Sequence, residues 1–279
     1  MRSMALRAPA PLPGFKLGLG ITLAMLSAIV LLPIAALLGR GLAIGPADLW
    51  EMVNSRRVWS ALTLSFRAAF LASSFNLAFG LLLAWVLVRY RFPGRRLIDA
   101  AVDLPFALPT AVAGIALTAL YAPNGAIGQL AAPFGLRIAY TEVGIVLALI
   151  FVGVPFVVRT VQPVLESLDA ELEEASATLG AHRLTTIRRV ILPAVAPAAL
   201  TGMALALARA VGEYGSVIFI AGNIPLKTEI APLLIVIQLE QFDYDAAAAI
   251  GLAMLAISFA MLLVLNLVQI WSRRRIGDV

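Results

Sequence analysis

Four stretches of this chain, 17–39, 68–88, 104–136 and 246–272, contain no Asp, Glu, Lys, Arg or His. An ionisable side chain at mid-bilayer costs about 2.5–3.5 kcal/mol even on a lenient insertion scale, so charge-free apolar runs of this length mark helices that cross a membrane. About 20 apolar residues cover roughly 30 Å of hydrocarbon. Two further spans carry isolated charges, about 143–165 with Arg159 near its end and about 194–221 with Arg209 and Glu213. The expected fold class is an all-α integral membrane protein of six transmembrane helices, at about 17–39, 62–88, 98–121, 143–165, 194–221 and 246–272. Segments 1–16 and 273–279 flank the bundle, and a longer loop, 167–193, joins spans four and five. Composition agrees, because 61% of the 279 residues are hydrophobic and 13% charged, against about 45–50% and about 25% in soluble domains.

The cations set an orientation. Arg2, Arg7, Lys16, Arg89, Arg91, Arg95, Arg96, Arg159, Arg183, Arg188, Arg189, Arg273, Arg274 and Arg275 fall on one side, while Arg40, Arg56, Arg57, Arg137 and Lys227 fall on the other. Arg67 and Arg209 lie at or inside spans. Positive charge accumulates in cytoplasmic loops, so both termini are expected in the cytoplasm. Trp59, Trp85, Tyr90, Tyr121, Tyr140, Tyr244 and Trp271 gather near the expected helix ends as an aromatic belt. Topology therefore accounts for the basic balance, and no aromatic-basic platform for nucleic acid accompanies it. The first apolar stretch runs 23 residues, beyond the roughly 7–15 of a secretory signal, and reads as an uncleaved helix.

Several chemistries are excluded. With no cysteine and one histidine, His182, thiolate and imidazole-cluster metal sites cannot be built. Lys16 and Lys227 are the only lysines and neither follows a glycine, so the phosphate-cradling GxxxxGK[ST] loop is missing. No serine has a glycine two positions before it, which removes the GxSxG nucleophile elbow. The chain is expected to be no enzyme and to hold no cofactor or metal itself.

The loop between spans four and five reads SLDAELEEASATLGAHRLTTIRRVILP, Ser167 to Pro193. A connector needs only about two to eight residues, so this one has a task or a partner. Leu168, Leu172, Ala175 and Leu179 recur at helical spacing. Asp169 can cap that helix, Glu171 and Glu173 suit its positive end, and Gly180 supplies a left-handed stop. A second short helix is expected over about 183–191, giving helix, glycine turn, helix. Glu174, Ala175, Ser176, Gly180, Val190, Leu192 and Pro193 stand in the register of the pattern Glu-Ala-Ala, three residues, Gly, nine residues, Ile, one residue, Leu-Pro. This resembles the EAA loop of ABC-importer permeases. On that resemblance Glu174, Ala175, Ser176, Gly180, Leu192 and Pro193 couple to a cytoplasmic ATPase, and 167–193 holds the coupling helices of a type I importer permease of MetI-like fold. The alternative for these residues is an amphipathic helix lying on the membrane surface.

Four more blocks, RYRFPGRRLIDAAVDLPFALPTAVAG (Arg89–Gly114), PFVVRTVQPVLE (Pro155–Glu166), ARAVGEYGSVIFIAGNIP (Ala208–Pro225) and LEQFDYDAA (Leu239–Ala247), look like the sulfate/thiosulfate permeases of the CysT type. The resemblance implies a bacterial inner-membrane subunit that forms the pathway by alternating access. Implied partners are a second, homologous permease in a heterodimer, an ATPase dimer that binds ATP and Mg, and a periplasmic sulfate/thiosulfate-binding protein. Molybdate or tungstate permeases share part of this pattern and are the nearest alternative. An ion-coupled secondary transporter is less well supported, because Glu213, the carboxylate it would use, is four residues from Arg209 and already paired in sequence. An intramembrane enzyme lacks a nucleophile motif.

Three features stand apart from the resemblance. LPFALPTAVAG (Leu104–Gly114) and LPAVAPAALTG (Leu192–Gly202) agree at five of eleven positions. Either these are chance proline-rich helix starts, or Pro105 and Pro109 belong to one of two matched bends around a gate. Arg209 and Glu213 face one side of span five, either as a packing pair or as an anion contact and gate. The acidic segment 222–245, with Glu229, Glu240, Asp243 and Asp245, is either a solvated loop or a docking surface for a binding protein.

Overall fold

The structure, a computed structural model, describes residues 14–168 and 170–276, and side chains up to 270. Asp169, Arg2, Arg7 and the arginines at 273–275 therefore lie outside the described residues or side chains. Among the described residues all regular structure is helical, and six helices are long and apolar enough to cross a membrane. Hydrocarbon offers no partner for a free peptide group, so a crossing chain satisfies its backbone within a helix.

The first crossing is α1, Phe15–Ile44, followed by the short α2, Pro46–Val53. The second is α3, Arg56–Arg89. A short amphipathic helix, α4 (Arg95–Val102), and a single turn, α5 (Leu104–Ala107), lead into the third candidate crossing, Thr110–Phe134, which opens with α6 (Thr110–Tyr121) and continues past α7 (Ala126–Ala131). After α7 (Ala126–Ala131) comes the fourth crossing, α8 (Glu142–Ser167). The arm helix α9 (Ala170–Thr178) precedes α10 (Arg183–Val211), the fifth crossing. Two short helices, α11 (Val217–Ile220) and α12 (Ala231–Glu240), lead to the last, α13 (Tyr244–Ile276).

Two expected spans are corrected. Span three, expected over 98–121, is cut at its second proline, where Leu108 and Pro109 are extended, at ψ 132° and 133°. Proline removes a donor and disfavours helical geometry in the residue before it. Span five, expected over 194–221, stops at Val211, and Gly212–Ser216 form a turn before α11. Its other end extends further than expected, because the second half of the 167–193 loop continues into α10 without a break. The helix widens to a π turn over Ile187–Ile191, immediately before Leu192-Pro193, and α1 does the same over Ser27–Leu31 before Leu32-Pro33. A missing proline N–H leaves a carbonyl one turn back without its partner, and the wider turn absorbs the mismatch.

Helices α3, α8 and α10 form the centre. Their approach depends on small residues: a Cβ on Gly80 would sit 2.8 Å from Val157 Cβ, and one on Gly202 would sit 2.8 Å from Val157 Cα. Gly80, Val157 and Gly202 thus share one level, with backbones close enough to trade dispersion where no hydrophobic gradient drives helices together. Toward the arm, Ala84, Leu87, Val158, Val161, Leu165, Ile191 and Val195 are buried together, and toward the far end Ala68, Ala69, Ile145, Ala148 and Leu207 are. Gly202→Val should lower the unfolding midpoint in detergent by the equivalent of about 1–3 kcal/mol of overpacking. Gly39→Ala, where a Cβ meets open space, should not, and equal midpoints for the two variants would refute this packing.

Candidate functional site

The arm at 168–193 is built as a stapled hairpin of helices. Gly180 turns at φ 79°, a conformation that costs a β-branched residue dearly. Backbone N–H groups of Gly180 and Ala181 bond the carbonyls of Ala177 and Ser176 at 3.0 and 3.1 Å, closing the end of α9. The Ser176 hydroxyl is buried and hydrogen-bonds the Thr186 hydroxyl, tying α9 to the first turn of α10. That bond gives the serine at the second alanine position of the pattern a physical reason. Glu174, Ala175 and Leu172 remain exposed, and Leu179 is 88% exposed. The expected apolar stripe therefore covers nothing on this chain beyond Leu168, which packs at the bundle end. Leu192 is exposed and Pro193 half-buried where the π turn passes into regular helix.

At the same end Arg159 of α8 clamps the segment that precedes the break in span three. Its Nε and Nη2 donate to both oxygens of Asp103 at 2.8 and 2.7 Å, Nη1 donates to Asp99 Oδ1 at 2.7 Å, and Nη2 to the Asp99 carbonyl at 2.8 Å. Nη1 also reaches Gln162 Oε1 at 2.7 Å. Sequence reasoning counted Arg159 only as a topological charge. The missed signal was two carboxylates, Asp99 and Asp103, one helical turn apart beside a cation inside a span.

Pro105 and Pro109 differ in effect. Pro105 sits in the first turn of α5, where a missing donor costs nothing, whereas Pro109 ends that turn and precedes α6. Their counterparts Pro193 and Pro197 both lie inside the continuous α10. The repeated sequence thus has two conformations, a break and an unbroken helix, and the expectation of matched bends is corrected.

Arg209 and Glu213 form an ion pair at the end of α10, Glu213 lying in the turn just past it. Glu213 is buried, with Oε2 toward Arg209 and Oε1 accepting both the N–H and the hydroxyl of Ser216 at 2.8 Å. Arg209 keeps 35% of its side chain exposed. The carboxylate is therefore fixed, while the arginine side chain is only partly buried. Sequence reasoning also passed over Arg67 of α3, which pairs with Glu142 at the start of α8, both half-exposed.

The acidic segment divides. Glu229, expected on a docking surface, is 3% exposed and accepts two bonds from Arg57, from Nε at 2.8 Å and Nη2 at 2.6 Å. It is an internal brace between α3 and the segment before α12, and that expectation is corrected. Asp245 pairs with Arg40 at 2.9 Å, joining the last crossing to the first, and Asp243 caps α13 through the Ala246 N–H at 3.0 Å. Glu240, Asp243 and Asp245 stay exposed. Among the described residues no His, Cys, Asp or Glu cluster could hold a metal.

Six crossings, a protruding stapled arm and charges paired at the ends of the bundle define a membrane-embedded transport subunit. Residues 76–278 match the family described as binding-protein-dependent transport system inner membrane component, and the chain belongs to it. It is 51% identical over 265 residues to the sulfate transport system permease protein CysT of Salmonella typhimurium, covering 95% of this chain and 96% of that one. A bacterial alginate ABC transporter, solved in complex with its alginate-bound periplasmic protein, superposes with TM-score 0.76 at 18% identity, over 94% of each chain. The methionine ABC transporter MetNI, in an inward-facing form, gives 0.52 at 19% identity over 79% of this chain and 94% of that one. These neighbours have the fold of ABC-importer permeases, the MetI-like fold, and this chain shares it.

Removing Arg57 alone strands a buried carboxylate, a loss on the order of 3 kcal/mol. Arg57→Gln should therefore lower the unfolding midpoint more than Arg57→Gln with Glu229→Gln together. Equal losses would show that the pair is not a buried brace.

Proposed function

We propose that this chain is the sulfate- and thiosulfate-translocating permease subunit of an ATP-driven importer in a bacterial inner membrane, with both termini cytoplasmic. The observation that carries the reading is the arm. It is a helix pair fixed by Gly180 and the Ser176–Thr186 bond, it shows Leu172 and Leu179 to the outside, and it runs directly into a membrane-crossing helix. A surface helix of a finished protein would turn such residues inward; a lever for a partner leaves them free. With no nucleotide-binding loop in the chain, the partner is an ATPase dimer carrying ATP and Mg, engaged by Glu174, Ala175, Ser176, Gly180, Leu192 and Pro193. A second permease completes the pathway, and a periplasmic binding protein delivers the anion to the end bearing Glu240, Asp243 and Asp245. The identity to a sulfate permease supports sulfate over molybdate or tungstate.

Energetics require such a drive. Bringing a dianion inward against an inside-negative potential costs about 4.6 kcal/mol per 100 mV, from about 2.3 per unit charge. An open pore would leak sulfate outward, so the pathway opens to one side at a time.

Co-purification should recover an ATPase with this chain, and Gly180→Val should leave the subunit in the membrane while abolishing sulfate uptake. Recovery of no ATPase, or full uptake by that variant, would overturn the docking reading.

We further propose that Arg209, through its exposed face, contacts the anion near the outer end of span five. Neutralising both charges, Arg209→Gln with Glu213→Gln, removes the packing pair without leaving a lone charge. The assembled double variant should remain defective in uptake, and near-wild-type uptake would leave Arg209 a packing residue only.

A further inference from the structure

We propose that Arg89 and Glu173 form a strut that carries motion of the arm to span two, making Arg89 a positioning residue for transport. This rests on the reading that the arm docks an ATPase. Three crossings reach the arm. Span five continues into it as one helix, and span four leads into it through Ser167 and Leu168. Span two is separate in sequence, and its last helical residue is Arg89.

Arg89 crosses that gap. Its Nη2 lies 2.8 Å from Glu173 Oε1 on α9, and its guanidinium carbon stands 5.8 Å from the centre of the Trp85 ring, one turn back. A cation at the C-terminal end of α3 also suits that helix's negative pole. Around the pair is a cavity of about 450 Å³ lined by Trp85, Tyr90, Glu174, Ala181 and Arg183 among others. α9 therefore stands off from the end of span two, and the ion pair bridges the space.

The geometry of the bridge marks it as a working contact. Arg89 Nε and Nη2 and Glu173 Oε1 are shielded from solvent, yet none makes an aligned hydrogen bond. The Arg159 clamp uses all of its donors, so the fold can saturate a guanidinium where it must hold still. A pair held by one contact at 2.8 Å beside an open cavity has room to realign when α9 is displaced. Span five, being continuous with the arm, must follow it; span two packs on spans four and five through Ala84 and Leu87, and the Arg89–Glu173 pair adds a direct link from its end to α9.

The test compares Arg89→Glu, Glu173→Arg and the two together in the assembled transporter, with binding protein, in proteoliposomes. Sulfate uptake and ATP hydrolysis are read on the same sample. Each single reversal should keep the ATPase bound and hydrolysing while sulfate moved per ATP falls roughly fivefold or more, and the double reversal should restore most of the ratio, as for paired residues. Arg89→Lys, which keeps the charge, should lose least. An unchanged ratio in the single reversals, or a double reversal no better than either, overturns the strut. Should the single reversals instead lose the bound ATPase, a double reversal that restores both binding and ratio supports the pair, and one that restores binding without the ratio reduces it to an assembly contact and overturns the strut. Gly180→Val is run alongside: if it uncouples and the reversals do not, only the strut fails, and if it too leaves coupling intact, the docking reading fails with it.

Discussion

Hydrocarbon neither hydrogen-bonds a peptide group nor solvates a charge, and the architecture follows from that constraint. It forces the crossing segments to be helices. It also favours pairing of charges that lie within or at the ends of spans. Arg159 takes Asp99 and Asp103, Arg209 takes Glu213, Arg67 takes Glu142 and Arg40 takes Asp245. All but the local Arg209–Glu213 pair tie separate helices together, so the expense of keeping charge in a bilayer is turned into positional specificity. Glycine does the same without charge at the level of Gly80, Val157 and Gly202, where any side chain would push helices apart.

Proline shows how surroundings decide the outcome of a shared sequence. Pro109 breaks its helix, and Pro197, its counterpart in the repeat, does not. Around Pro197 the helix is packed, with Val195 and Ala199 at 1% and 4% exposure, so unwinding would forfeit buried contacts. Before Pro109 the chain has Leu104 at 48% and Phe106 at 56%, and an extended turn there gives up little. The preference of a residue before proline for extended backbone then prevails. The Arg159 clamp fixes the chain on the near side of the break, which isolates α6 from the segment that leads into it.

Much of this was legible in the sequence because hydropathy is summed over twenty residues and charge is exclusive. The six crossings, the helical arm and the glycine turn at 180 all rest on such signals, and the EAA register pointed to the family. What stayed illegible were pairings at long range. Glu229 read as a surface acid because nothing local says that Arg57, 172 residues earlier, reaches it. Arg159 read as a topological charge for the same reason. The end of span five at Val211 was missed because the apolar run resumes at Val217–Ala221, which outweighs in a twenty-residue sum the break that Gly212, Glu213 and Gly215 make.

The arm end of the molecule combines two kinds of mechanical connection. A helix without a break transmits displacement along its axis with little loss, because bending it stretches a ladder of hydrogen bonds. Span five has that connection, softened only by the π turn at Ile187–Ile191, where the ladder is wider. An ion pair across a gap transmits displacement only while its geometry holds, and it can reset. A transporter that opens to one side at a time needs helices that move by different amounts, since a bundle driven rigidly as one body would shift without opening. Connecting the arm to spans four and five through the backbone and to span two through side chains supplies that difference from a single applied motion.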